Sequence, residues 1–226
     1  MKATIKCSGF FLLFLMVPSF SFSQSSIDIN VKGEGYFTIA PRNKPEKKTD
    51  GCPYYNSVWS ECQVNFGDAK IARTDSFKYD IFEGKLIFLS KGIEYYVPDN
   101  DKIISFSAGN IKFINFESEG VGGKCFFEVL NESPSLKLLK KHRCKIVEGK
   151  PGDGIDPGRN DRYVLFSEYY TSLNNLPAKK LKLTRDNVLA LMADHKAEVQ
   201  TYIKENRLKV KMEDDLIKLF KYYSTF

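Results

Sequence analysis

The sequence predicts an α+β fold: an antiparallel β-meander, as a sandwich or partly closed barrel, followed by a small C-terminal helical unit. Three observations carry this. Short stretches in which apolar and polar residues alternate recur from Ile27 to Val147. The turns between them are too short to hold crossover helices, which disfavours a parallel sheet. After Thr184 the apolar spacing changes from every second residue to every third or fourth, the period of a helix.

The elements follow in chain order. Lys2 and Lys6 precede an apolar run from Phe10 to Val17, and Ser21-Phe22-Ser23 ends it with small side chains at alternate positions. A basic start, a short apolar centre and a small-x-small end form a secretory signal peptide, expected over residues 1–23. The run is too short for a membrane anchor. Removing it leaves 203 of the 226 residues, with Cys52, Cys62, Cys125 and Cys144. Export favours disulfides, and spacing favours Cys52 with Cys62 and Cys125 with Cys144. The first pair would close a loop near residues 52–62 that presents Tyr54, Tyr55 and Trp59.

A β domain is expected over residues 24–170. Phe77, Tyr79 and Ile81 alternate with Lys78 and Asp80, and Glu83-Gly84 turns the chain into Leu86 to Leu89. Ile93 to Val97, Lys102 to Phe106 and Ile111 to Phe116 continue the series. Cys125 to Leu130 and Leu136 to Val147 come next. In the second of these, Lys137, Lys141, Arg143 and Lys145 fall on one face of an extended strand, interrupted by Leu139. That stripe reads either as a solvent face or as a site for an anionic ligand. His142 and Cys144 share the opposite face, too sparse a set for zinc. The loop from Gly149 to Asp161 carries Asp153, Asp156 and Asp161, but not at EF-hand spacing, and its Gly and Pro residues suit a long turn. Tyr163 to Tyr170 reads as a last strand.

A helical unit is expected over residues 171–226. Thr184 is placed to cap a helix bearing Val188, Leu191 and Met192. A second helix carries Val199, Tyr202 and Ile203. The third opens on Glu213-Asp214-Asp215, which suits the positive end of a helix dipole, and presents Leu216, Ile217, Phe220 and Tyr223.

The composition limits function. With 42% hydrophobic residues the chain is neither disordered nor fibrous. From Gln24 to Glu132 there are 13 basic and 16 acidic residues, net −3; from Ser133 to Phe226 there are 19 and 12, net +7. In an exported protein this asymmetry points to an anionic surface or an acidic envelope partner rather than to nucleic acid. No serine-hydrolase elbow, zinc-protease pair, phosphate loop or dinucleotide fingerprint occurs, so no catalytic residue, cofactor or metal is assigned. Aromatic doublets (Tyr54-Tyr55, Tyr95-Tyr96, Phe126-Phe127, Tyr169-Tyr170, Tyr222-Tyr223) require either that both sheet faces are covered or that tyrosines are exposed for binding.

Trp59, the strand Phe77 to Phe82, Phe126 to Leu130 with Leu138 to Lys141, and the closing segments Lys196 to Asn206 and Asp214 to Tyr223 carry a resemblance. Together they resemble an uncharacterised family of exported proteins of Bacteroidetes-type bacteria. That family often has Gly shortly after the tryptophan, where this chain has Ser60-Glu61-Cys62. The resemblance implies export and architecture, not chemistry. The expected function is a non-enzymatic cell-envelope protein that binds a protein or an anionic surface, periplasmic, outer-membrane-associated or extracellular, with no transmembrane span after cleavage. A small-ligand or glycan binder and an envelope hydrolase are the alternatives.

Overall fold

A computed structural model describes residues 27–30, 36–42, 49–67, 71–97, 100–154 and 157–226. The expected signal peptide lies outside these residues. Among the described residues thirteen strands form a single open, mostly antiparallel sheet, and three α-helices follow it. The strands are β1 (Ile27–Asn30), β2 (Tyr36–Pro41), β3 (Thr49–Asp50), β4 (Ser60–Asn65), β5 (Ile71–Asp80), β6 (Lys85–Ser90) and β7 (Ile93–Tyr96). They continue as β8 (Ser105–Ala108), β9 (Ile111–Ser118), β10 (Val121–Asn131), β11 (Leu136–Val147), β12 (Asp161–Leu173) and β13 (Lys179–Lys180). The helices are α1 (Arg185–Leu191), α2 (Lys196–Glu205) and α3 (Glu213–Tyr223).

The meander runs in two directions from β4. Along the sheet the order is β1-β2-β7-β6-β5-β4-β8-β9-β10-β11-β12-β13, and β3 pairs in parallel with the start of β12. The link from β7 to β8 therefore does not join neighbours. Asn115 fixes it by donating its side-chain amide to the carbonyls of Asn100 and Ile103.

The sheet curls. Tyr79 on β5 and Phe126 on β10 are four strands apart, roughly 19 Å in a flat sheet at ~4.8 Å per strand. Their ring centroids lie 5.7 Å apart. Phe77, Tyr79, Phe106, Phe113 and Phe126 fill the concave side, with Phe106 and Phe113 stacked at 4.6 Å. The concave side is thus a packed aromatic core.

The helices pack on the same sheet. Leu136 and Leu138 at the start of β11 join Val188, Met192, Val199, Ile203, Leu216 and Phe220 in a second core. Thr184 caps α1, its hydroxyl accepting from the Asn187 amide at 3.3 Å. A third cluster (Phe127, Leu139, Tyr170 and Ala178) lies on the other face of the sheet. Two aromatic doublets within the sheet are divided in this way: Phe126 faces the first core and Phe127 the third, while Tyr169 faces the helices and Tyr170 the third cluster. No helix of the described residues is long and apolar enough to cross a membrane.

The expected disulfides are not formed. Cys52, Cys62, Cys125 and Cys144 are all free thiols. Cys125 packs against the third cluster and Cys144 against the first, so the two thiols lie on opposite faces of the sheet. Cys62 sits within β4 and turns into the aromatic core, where burial pushes its thiol well above the ordinary range. A short loop rule overlooked that residues 60–65 form a core strand.

Candidate functional site

Three settings stand out, two of them holding residues singled out from the sequence, and the basic stripe is the first. Alternation does put Lys137, Lys141, Arg143 and Lys145 on one face of β11, but most of that charge is already engaged. Lys141 is only 7% exposed; its ammonium donates to the Cys125 thiol at 2.9 Å and lies 5.6 Å from the centre of the Phe127 ring. Arg143 donates to Glu168 at 3.1 Å, and Lys137 donates to Asn175 at 2.7 Å. Lys145, exposed, lies over the Phe166 ring. Glu168, shared by Lys180, Arg143 and Tyr170, is held below the ordinary carboxylate range, chiefly by the Lys180 hydrogen bond. The stripe is therefore a row of separately engaged cations, only Arg143 closely paired with a carboxylate, and not a continuous basic face.

The second setting is the segment of residues 51–59, which crosses from β3 toward β5. Its backbone is tied down: Tyr55 donates to the Tyr79 carbonyl and Ile81 donates to the Pro53 carbonyl. Tyr54 and Tyr55 then diverge. Tyr55 enters the core, 5.1 Å from Phe113 and 4.9 Å from His142, ring centre to ring centre. Tyr54 accepts a hydrogen bond from Arg42. Lys78 sits over the rings of both Tyr54 and Trp59, at 4.9 and 4.4 Å, and so occupies one ring face of each. Arg42 also pairs with Asp80 at 2.5 Å, their side chains 7% and 1% exposed. Burial pushes the Asp80 carboxyl up, and the Glu83 amide and Arg42 charge only partly offset it.

A polar seam that the sequence did not single out joins the sheet to the helices. His142 donates to Glu128 at 2.6 Å; Glu213, the first residue of α3, accepts from Lys140 at 2.9 Å and from Tyr169 at 2.6 Å. Burial would raise the Glu213 carboxyl, but those two hydrogen bonds hold it below the ordinary range. Burial and the Glu213 hydrogen bond push the Tyr169 phenol up. In sequence, Lys140 and His142 among the apolar residues of one strand face were the available signal.

The two buried carboxylates among the described residues, Asp80 and Glu128, each contact a basic side chain and not one another. No group of three or more His, Cys, Asp or Glu side chains converges among the described residues. Asp156 of the long loop lies outside those residues; Asp161 accepts from the Gly149 amide at 3.0 Å.

The third setting is the exposed end of the β11–β12 ribbon. Beyond Lys140, β11 is paired in register with β12 alone, from Lys141↔Glu168 to Val147↔Arg162. The outer edge of β12 is covered at Asp161–Arg162 by β3 and at Tyr170–Thr171 by β13. Among the described residues nothing pairs with 164–168 on that edge. Leu181 donates to the Tyr169 carbonyl from the outer side, so by strand alternation the backbone groups of Ser167 and Leu165 also point outward. Leu165 and Phe166, at 47% and 43% exposure, belong to this stretch, and Ile146, 38% exposed, lies one strand inward on β11. The chain matches no family model, no curated protein and no solved structure.

Proposed function

We propose that this is an exported, non-enzymatic protein of the cell envelope that holds another protein through the open edge of β12. The observation that carries this reading is the uncovered stretch 164–168, with Leu165 and Phe166 exposed beside it. An exposed edge with apolar side chains is the surface to which an extended segment adds as a further strand. Lys145 and Arg162, both exposed beside the gap, favour a segment bearing acidic residues. Export is supported by the charged, apolar and small-residue order of the first 23 residues and by the resemblance to exported Bacteroidetes-type proteins.

The alternatives have less support. An anionic surface needs a basic face, and the stripe on β11 is largely paired. A glycan needs open aromatic faces, and Lys78 occupies one face of each of the Tyr54 and Trp59 rings. A ligand inside the curled sheet would compete with the aromatic core.

A photo-crosslinking amino acid placed at Phe166 tests the reading in intact cells of the native host. One envelope protein should be recovered repeatedly, and its recovery should fall at least about tenfold with Leu165→Glu. Recovery that is unchanged by Leu165→Glu, or recovery of no specific protein, overturns the reading.

A further inference from the structure

The turn from α2 to α3 reads Leu208-Lys209-Val210-Lys211-Met212. It is tied at both ends: Leu208 donates to the Ile203 carbonyl, Met212 donates to the Lys209 carbonyl, and the Lys209 amide donates to Asp215 at 3.0 Å. With Arg185 at the start of α1, these residues line a groove of about 360 Å³. That is roughly the volume of a dozen water molecules at ~30 Å³ each, enough for an alkyl chain of medium length.

The groove has an apolar floor and a basic rim. Ile203 is buried, Leu208 and Val210 are half-buried, and Met212 is 57% exposed although it is apolar. Arg185, Lys209 and Lys211 are exposed, and none of them has an ion-pair partner among the described residues. No acidic residue lines the groove; of the acids nearby in sequence, Glu213 is engaged by Lys140 and Asp215 by Lys218 and the Lys209 amide, while Asp186 and Asp214 are exposed outside the lining. Three cations and no acid in the lining of an apolar cleft favour a ligand with an apolar body and one anionic end.

We infer that this groove binds a single-chain fatty acid, its alkyl chain along Ile203, Leu208, Val210 and Met212 and its carboxylate among Arg185, Lys209 and Lys211. Charge complementarity selects the carboxylate, and the size of the cleft selects one chain over a two-chain lipid. The site lies in the helical unit and does not depend on the β12 edge.

Calorimetric titration of the full chain with sodium dodecanoate below its micelle concentration tests this. Binding should saturate at one site. Dodecanol, with the same chain and no charge, and acetate, with the charge and no chain, should each bind at least about tenfold more weakly. The Lys209→Glu, Lys211→Glu double variant and Met212→Trp, all changes at exposed positions, should each weaken dodecanoate at least about tenfold. Equal affinity for dodecanol, unaltered affinity in both variants, or no saturable binding overturns the proposal. Binding only to anionic phospholipid vesicles, or only to an acidic peptide, also overturns it.

Discussion

The ammonium of Lys141 lies 2.9 Å from the thiol of Cys125, on a strand face where alternation alone would place a solvated lysine. Its residue is 7% exposed, and the side chain directly across the ladder, Glu168, is occupied by Arg143, Lys180 and Tyr170. A buried cation with a thiol as its hydrogen-bond partner carries a desolvation cost that this contact offsets poorly. Lys141→Met keeps the stem and removes the charge. It should be neutral or stabilise the fold by about 1 kcal/mol, read from urea midpoints. A loss above about 2 kcal/mol would show that the charge itself holds the face together.

Arg42 is the opposite case. It reaches across 38 residues to Asp80, with Tyr54, Glu83 and Glu94 around the same guanidinium. Arg42→Ala leaves the fully buried Asp80 without its cation, so it should destabilise by about 3–5 kcal/mol. Loss of less than about 1 kcal/mol in chemical denaturation would contradict this placement.

Phe113, fully buried, contacts Tyr55, Tyr79 and Phe106. Phe113→Ala should cost about 3–5 kcal/mol by opening a cavity at the centre of the curled sheet. A cost near 1 kcal/mol would mean that the concave side is loosely filled.

Acid should weaken the protein through its carboxylates. Glu168, by the Lys180 hydrogen bond, and Glu213, by Lys140 and Tyr169 against the effect of burial, lie below the ordinary value of 4.5. A carboxyl depressed in the folded state binds protons more readily when unfolded. Its stabilisation is complete above 4.5 and is lost as pH falls through the folded value. Unfolding free energy measured across pH should decline below that value, and Glu213→Gln should decline less steeply than the parent. Equal slopes for the two proteins would remove Glu213 from this role.

Much of the architecture was legible because it rests on periodicity. The strand from Phe77 to Ile81, the doublets split across the sheet and the Thr184 cap all follow from local spacing. What local spacing could not give is set by distant partners. Neither the insertion of β4 between β5 and β8 nor the curl that brings Tyr79 to Phe126 leaves a mark in neighbouring residues. The cysteine pairing failed for the same reason: adjacent strands place Cys125 and Cys144 near in sequence but on opposite faces. Likewise, alternation found the stripe on β11 but not the distant partners that engage it, Glu168 for Arg143, Asn175 for Lys137 and Cys125 for Lys141. The open stretch of β12 was hidden because Tyr163 to Tyr170 gives no sign of what covers its edge.

The proposed addition of an extended partner segment to β12 at 164–168 depends on the outward backbone N–H of Ser167, which Ser167→Pro removes. Proline there leaves the β11 side of the ladder intact, at a position where a strand tolerates proline. The account expects a melting temperature within about 4 °C of the parent and loss of the protein crosslinked from Phe166 in intact host cells. Undiminished crosslinking to that protein in a folded Ser167→Pro variant would contradict strand addition at this edge.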